Sequence, residues 1–124
     1  MLPVYFLCRS LDNTKYIGRS YNTAITSDQS SWHVYVGTYS GSKASSGIKI
    51  YRDGTQVDNT DVNSGVYAGM SNGTAQVGSF AYFVGSWTFA NARFGSSIII
   101  NKELTAEEVK RVSQRLLSYA GTFQ

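Results

Sequence analysis

Apolar and polar residues alternate with a period of two through most of the chain from Val4 to Ile100. The alternation predicts strands at residues 4–8, 15–19, 32–39, 48–52, 56–60, 65–70, 75–84 (broken at Gly78) and 94–100. Turn formers stand between these runs: Asp12-Asn13, Ser27-Asp28, the Ser/Gly stretch from Ser40 to Gly47, Asp53-Gly54, Asn63-Ser64-Gly65 and Asn72-Gly73. Asp-Gly and Asn-Gly suit tight hairpins, because both central residues of such a turn take positive φ. Short strands at this spacing imply an antiparallel β-sandwich or barrel.

The period changes after residue 100. Thr105 with Glu108 three positions on makes a capping box, and Val109, Val112 and Leu116 follow at helical spacing. One amphipathic helix over residues 106–118 is predicted, with Lys110, Arg111 and Arg115 on its other faces. Basic residues late in a helix also suit its dipole. No repeat or linker divides the 124 residues, so a single domain spanning 1–124 is expected.

Composition narrows this picture. Only 15% of residues are charged and 14% are aromatic, a make-up that suits a globular all-β protein and argues against disorder. The formal charge is +3, and the one local density of basic residues lies on the predicted helix, where it reads as a solvated face. No nucleic-acid partner is expected. Cys8 is the only cysteine, which excludes an internal disulfide and a cysteine-based metal site, and its apolar run marks it as core. That run lacks the length, basic start and cleavage site of a secretion signal. No segment reaches the ~18 to 20 apolar residues that span a bilayer.

Five pieces of the chain follow one another in an informative order. Trp32-His33 leads a strand that closes on Thr38-Tyr39, and the next strand ends Tyr51-Arg52-Asp53-Gly54. Val77-Gly78, then Phe94-Gly95 with Ile98 to Ile100, precede the helix start Leu104-Thr105-Ala106-Glu107-Glu108. Over residues 30–118 this order resembles the second half of a laminin G-like, concanavalin A-like jelly-roll domain. The resemblance implies an all-β, antiparallel jelly-roll sandwich with one C-terminal amphipathic helix. Domains of this kind carry several strands ahead of the tryptophan strand, so the N-terminal strands here are expected to be shortened. Unpaired strand edges invite association, and a homo-oligomer or larger assembly is expected.

The resembled fold also hosts glycoside hydrolases, which need two carboxylates facing one another across the sugar. Here Glu103, Glu107 and Glu108 cluster at the helix start, and Asp12, Asp28, Asp53, Asp58 and Asp61 fall in turns or strand ends. The sole histidine, His33, has no evident nucleophile partner, and no Gly-rich phosphate loop precedes a helix. A non-enzyme without a cofactor is therefore expected. Calcium is the one ion with a candidate site: residues 58–63 pack oxygen donors densely, and some members of the resembled family bind calcium between loops. Asp58 and Asp61 would be its ligands.

Aromatic residues carry the binding expectation. Tyr39 shares one strand face with His33 and Tyr35, and Tyr51 opposes Ile48 and Ile50 and so is expected to face outward. Tyr82, Phe83, Trp87 and Phe89 lie close together in a region expected to end in a loop. Trp87, flanked by Ser86 and Thr88, could offer a flat apolar face with a free N–H, or could plug the core. Trp87, Tyr82, Tyr51 and Tyr39 are the expected ligand-binding residues. Asn72-Gly73-Thr74 has the form of a glycosylation sequon and reads as a hairpin turn. The expected function is a non-catalytic binding or adhesion module for a surface glycan or protein, at an extracellular or virion surface. The alternative is a structural virion component, such as a phage capsid decoration or tail-associated protein.

Overall fold

In the computed structural model of the chain, residues 4–10, 14–22, 31–69, 81–83, 87–89 and 95–120 are described. Along the chain come β1 (Val4–Arg9), β2 (Tyr16–Tyr21), β3 (Tyr35–Tyr39), a 3₁₀ turn (Ser45–Gly47), β4 (Ile48–Arg52), β5 (Thr55–Gln56), β6 (Thr60–Asp61), β7 (Ala81–Phe83), β8 (Trp87–Phe89) and α1 (Ala106–Ala120). The first sheet runs β1-β2-β6 and the second β3-β4-β5, while β7 and β8 form a separate two-stranded ribbon. Every pairing is antiparallel.

The first two sheets pack face to face around Cys8 of β1, Ile17 of β2, Ile48 of β4 and Tyr67, with Phe6 and Tyr39 at the margin. Period-two alternation places these side chains on the inner faces. Gly37 permits this contact, and Gly18 permits the close approach of β1 and β2 within the first sheet. A Cβ on Gly37 would collide with the Phe6 ring, and one on Gly18 would collide with Leu7 across the β1–β2 pair.

The Asp53-Gly54 hairpin takes φ values of 53° and 86°, as a type I′ turn requires. It joins β4 to β5 with Arg52 opposite Thr55. A Cβ on Gly54 would lie 3.0 Å from the Cα of Lys110, so this turn also seats the helix. α1 packs beside β3 and β5, with Val109 and Ser113 fully buried. Burial of a valine in this way contributes about 1.5 kcal/mol or more.

Tyr51 is corrected by this packing. It does oppose Ile48 and Ile50 on β4, but only 3% of its surface is exposed, in a sheet whose flanking strands β3 and β5 both meet the helix. Four strand boundaries also change. Residues 32–34 are not strand, because the segment is engaged with the Asp53 turn: Asp53 N–H donates to Val34 O at 2.9 Å. Residues 56–60 are not one strand: β5 and β6 belong to different sheets, and the chain crosses between them. Residues 65–69 lack strand structure, with φ of 64° at Gly65 and 126° at Gly69, and only Tyr67 of the five is buried. Residues 95–100 form no regular strand, and Ile98, Ile99 and Ile100 are exposed. Of the strand expected at 75–84, β7 is described; its remainder and the turns at Asp12-Asn13, Ser27-Asp28 and Asn72-Gly73 lie outside the described residues.

The capping box forms as its sequence implies. Thr105 N–H donates to Glu108 Oε2 at 2.8 Å, Glu108 N–H donates to Thr105 Oγ at 3.3 Å, and the helix continues to Ala120. Lys102 Nζ adds a charged hydrogen bond to Glu108 Oε1 at 2.6 Å. The Lys102 ammonium, and after it the Thr105 N–H, lower the Glu108 carboxyl to about 2 from the usual 4.5. A depressed carboxyl stabilises the fold above its unfolded value and loses that contribution as pH falls through its folded value. Glu108→Gln should therefore melt below the parent at pH 6, with the gap closing between pH 4.5 and about 2. Thermal melts of both proteins across that range check it; a gap independent of pH would reject the ionic cap.

Candidate functional site

Two polar clusters hold the ends of strands, and a third group lines the surface. The first cluster sits where the chain passes from β5 to β6. Arg19 of β2 donates from Nε and Nη2 to Asp58 Oδ2 at 2.9 and 2.8 Å, and from Nη1 to Asp61 Oδ1 at 2.5 Å. The other oxygen of Asp58 accepts the Ile50 N–H of β4 at 2.8 Å. Asp58 is 2% exposed at its side chain, whereas Asp61 is 58% exposed. The Asp61 carboxyl is lowered by the Arg19 hydrogen bond first and by Ser45 next, and the same pairing raises the Arg19 guanidinium.

This geometry bears on the calcium expectation. Asp58 and Asp61 do converge, but on a guanidinium, and Asp58 gives its second oxygen to a main-chain N–H. A cation between them would have to displace Arg19. Among the described residues no group of three His, Cys, Asp or Glu side chains gathers at ion distance.

The second cluster joins the start of β3 to the hairpin turn. His33 Nδ1 hydrogen-bonds Asp53 Oδ2 at 2.7 Å, Val34 N–H donates to Asp53 Oδ1 at 2.9 Å, and Arg52 Nη2 stands 3.0 Å from His33 Nε2 and 3.4 Å from its Nδ1. The imidazole is thereby held between the Asp53 carboxylate and the Arg52 guanidinium, and it holds the turn. The role is positional, and the signal for it in the sequence is a lone histidine beside the first residue of the Tyr-x-Asp-Gly strand's partner.

The expected ligand-binding aromatics do not gather at one described place. Tyr39 borders the core with its ring and accepts the Lys43 N–H on its hydroxyl at 2.9 Å, so it anchors the 40–47 loop. Tyr51 is buried in β4. Trp87 lies in β8, not in a loop, and the ribbon register sets it opposite Phe83 and sets Tyr82 opposite Thr88. Sequence reasoning missed a small cleft lined by Val36, Thr38, Ile98, Ile100, Lys102 and Leu104. Within it Thr38 Oγ1 is buried with no partner among the described residues. The cleft arises because residues 95–100 lie beside β3 without a regular strand, which the Ile-rich pattern had concealed.

These features have a family context. A laminin G family model, described as the concanavalin A-like lectin/glucanases superfamily, matches residues 5–110, and the chain belongs to that superfamily. The match takes in β1 and β2 as well as the tryptophan-led segment. No curated protein and no solved structure matches the chain.

Loss of the two aspartates should have unequal effects. Asp58→Ala strands a partly buried guanidinium and an inward N–H, and should cost about 3 kcal/mol. Asp61→Ala removes an exposed partner and should cost under about 1 kcal/mol. Urea unfolding of both variants checks the ranking, and equal losses would mean that Asp58 does not join the sheets.

Proposed function

We propose that this domain is a non-catalytic binding module that recognises a surface glycan or protein at an extracellular or virion surface, on a sandwich of jelly-roll form. The observation that carries this reading is the employment of the carboxylates. The superfamily embraces lectins and glucanases, and a glucanase needs two carboxyl groups about 5 to 9.5 Å apart, poised to exchange protons or attack. Here Asp53 holds His33 and Val34, Asp58 and Asp61 hold Arg19, and Glu108 caps the helix. Each of these four is committed to the frame. Recognition then falls to aromatic faces and neutral hydrogen-bonding groups, which suit sugars and proteins alike.

Trp87 and Tyr82 on the ribbon are the primary contacts, with Tyr39 beneath the 40–47 loop. The burial of Tyr51 removes it from this surface. Calcium enters the reading only at Asp58 and Asp61, in exchange for Arg19. Among the described residues no helix is long and apolar enough to cross a membrane. The second reading, a structural component that assembles with itself or its neighbours, is favoured by the edge of β1, unpaired among the described residues, and the exposure of Tyr5.

A glycan array probed with the purified chain and with Trp87→Ala, each with and without calcium, tests the first reading. Binding to one sugar class that Trp87→Ala weakens about tenfold or more, with an unchanged melting temperature, is the expected result. Calcium-dependent binding would assign Asp58 and Asp61 to the metal. A blank array from folded protein overturns glycan recognition, and release of reducing sugar from a glucan would overturn the non-catalytic reading.

A further inference from the structure

Among the described residues the β1 strand is one edge of its sheet, and its hydrogen-bonding phase is set by its pairing with β2. Ser10 N–H donates to Lys15 O at 2.9 Å, one residue beyond the pairing of Arg9 with Tyr16. Main-chain groups alternate along an antiparallel strand. Cys8, Phe6 and Val4 therefore turn theirs toward β2, and Tyr5, Leu7 and Arg9 turn theirs to the open side. Among the described residues nothing pairs with those outward groups. The strand, Val-Tyr-Phe-Leu-Cys-Arg, holds no proline and a single charge, so little in it opposes the approach of another strand.

The order of the outward positions selects the partner. They read aromatic, aliphatic, cation: Tyr5, Leu7, Arg9. Reversed about Leu7, the same strand sets Tyr5 opposite Arg9 and Arg9 opposite Tyr5. Tyr5 is 52% exposed, Arg9 is exposed, and both share the outer face of the sheet. The Arg9 guanidinium already stands 5.3 Å from the ring centroid of Tyr16, its neighbour on β2, so the cation-on-ring geometry exists on that face.

We propose that β1 is a self-association edge: two copies pair their β1 strands antiparallel about a two-fold axis at Leu7, forming one continuous sheet. Each of the facing pairs exchanges two N–H···O bonds, and each Arg9 lies between Tyr16 of its own chain and Tyr5 of the second copy. Shifting the register by two residues either way leaves one of the outward residues unpaired and opposes no tyrosine to arginine. The two-fold makes the interface isologous and closed, so the product is a dimer and not a fibre. This extends the assembly reading above by naming its surface, and it is independent of what the module binds.

The test is a concentration series by analytical ultracentrifugation, with amide hydrogen exchange on the same samples. Expected are a dimer and concentration-dependent protection of the Tyr5, Leu7 and Arg9 amides. Tyr5→Arg opposes like charges twice and should weaken the dimer about tenfold or more. Adding Arg9→Glu should recover it, because Arg then faces Glu across the same register. Both positions are exposed, so the variants keep the parent fold, which thermal melts verify. A dimer whose Tyr5, Leu7 and Arg9 amides exchange as an open edge overturns the proposal and leaves self-assembly standing through another face. A monomer at all concentrations overturns both, and a failed recovery in the double variant overturns the register.

Discussion

The carboxylate of Asp58 is what allows one short chain to build two sheets. β5 makes its last bond to β4 from Val57 N–H to Ile50 O at 2.8 Å, which leaves the Ile50 N–H on that side to be satisfied. The departing strand cannot satisfy it with a carbonyl, so Asp58 Oδ1 does. Its other oxygen takes the Arg19 guanidinium from β2, in the facing sheet. A buried carboxylate without partners would be costly, and one bound on both sides ties its partners strongly in a medium of low polarity. The crossing is thereby stitched at its midpoint, and β6 is delivered to the edge of β2.

The same stretch explains its own composition. Asn59 Oδ1 accepts the Asn22 N–H at 3.2 Å, and Asn63 Oδ1 accepts the Gly18 N–H at 3.4 Å. Oxygen donors packed from Asp58 to Asn63 look in the sequence like the beginnings of a cation site. In the fold they stand in for strand carbonyls where the strand is too short to supply them. Composition alone does not distinguish the two uses, because both need oxygens at close spacing. Only the position of Arg19 and of the β2 and β4 main chains decides between them.

Local rules made part of this architecture legible. β4, the Asp53-Gly54 turn and the start of α1 follow from alternation, positive-φ preference and capping, each of which acts within a few residues. The misread segments are those settled by distant contacts. Trp32 to Val34 carry a strand pattern, but Asp53 claims the main chain of Val34 and the side chain of His33; residues 56–60 carry one too, but serve two sheets. Tyr51 shows the limit of face assignment. Alternation separated it correctly from Ile48 and Ile50, and could not say that its own side is buried as well. Of the expected ligand-binding aromatics, Tyr39 proved to be an anchor for a loop, while Tyr82 falls on a strand as its alternation implied and Trp87 on the strand that pairs with it. Two of the motif pieces fare better because their work is local and architectural: Asp53 clamps and Gly54 seats the helix, and Thr105 with Glu108 starts it.

That division has a consequence for binding. If the motif residues are committed to the frame, recognition must come from what the frame holds still. The 40–47 loop is held at both ends. Ser40 N–H donates to Gly47 O at 3.0 Å, Lys43 rests at φ 59° with its N–H on the Tyr39 hydroxyl, and a Cβ on Gly47 would strike the hydroxyls of Ser40 and Ser42. The ring of Tyr39 is in turn packed at the margin of the core. A loop anchored in this way loses little conformational freedom when it meets a ligand, so weak neutral contacts can add to a useful affinity. The polarity of the loop, read from its sequence as a run of turn formers, is the polarity of a surface already shaped.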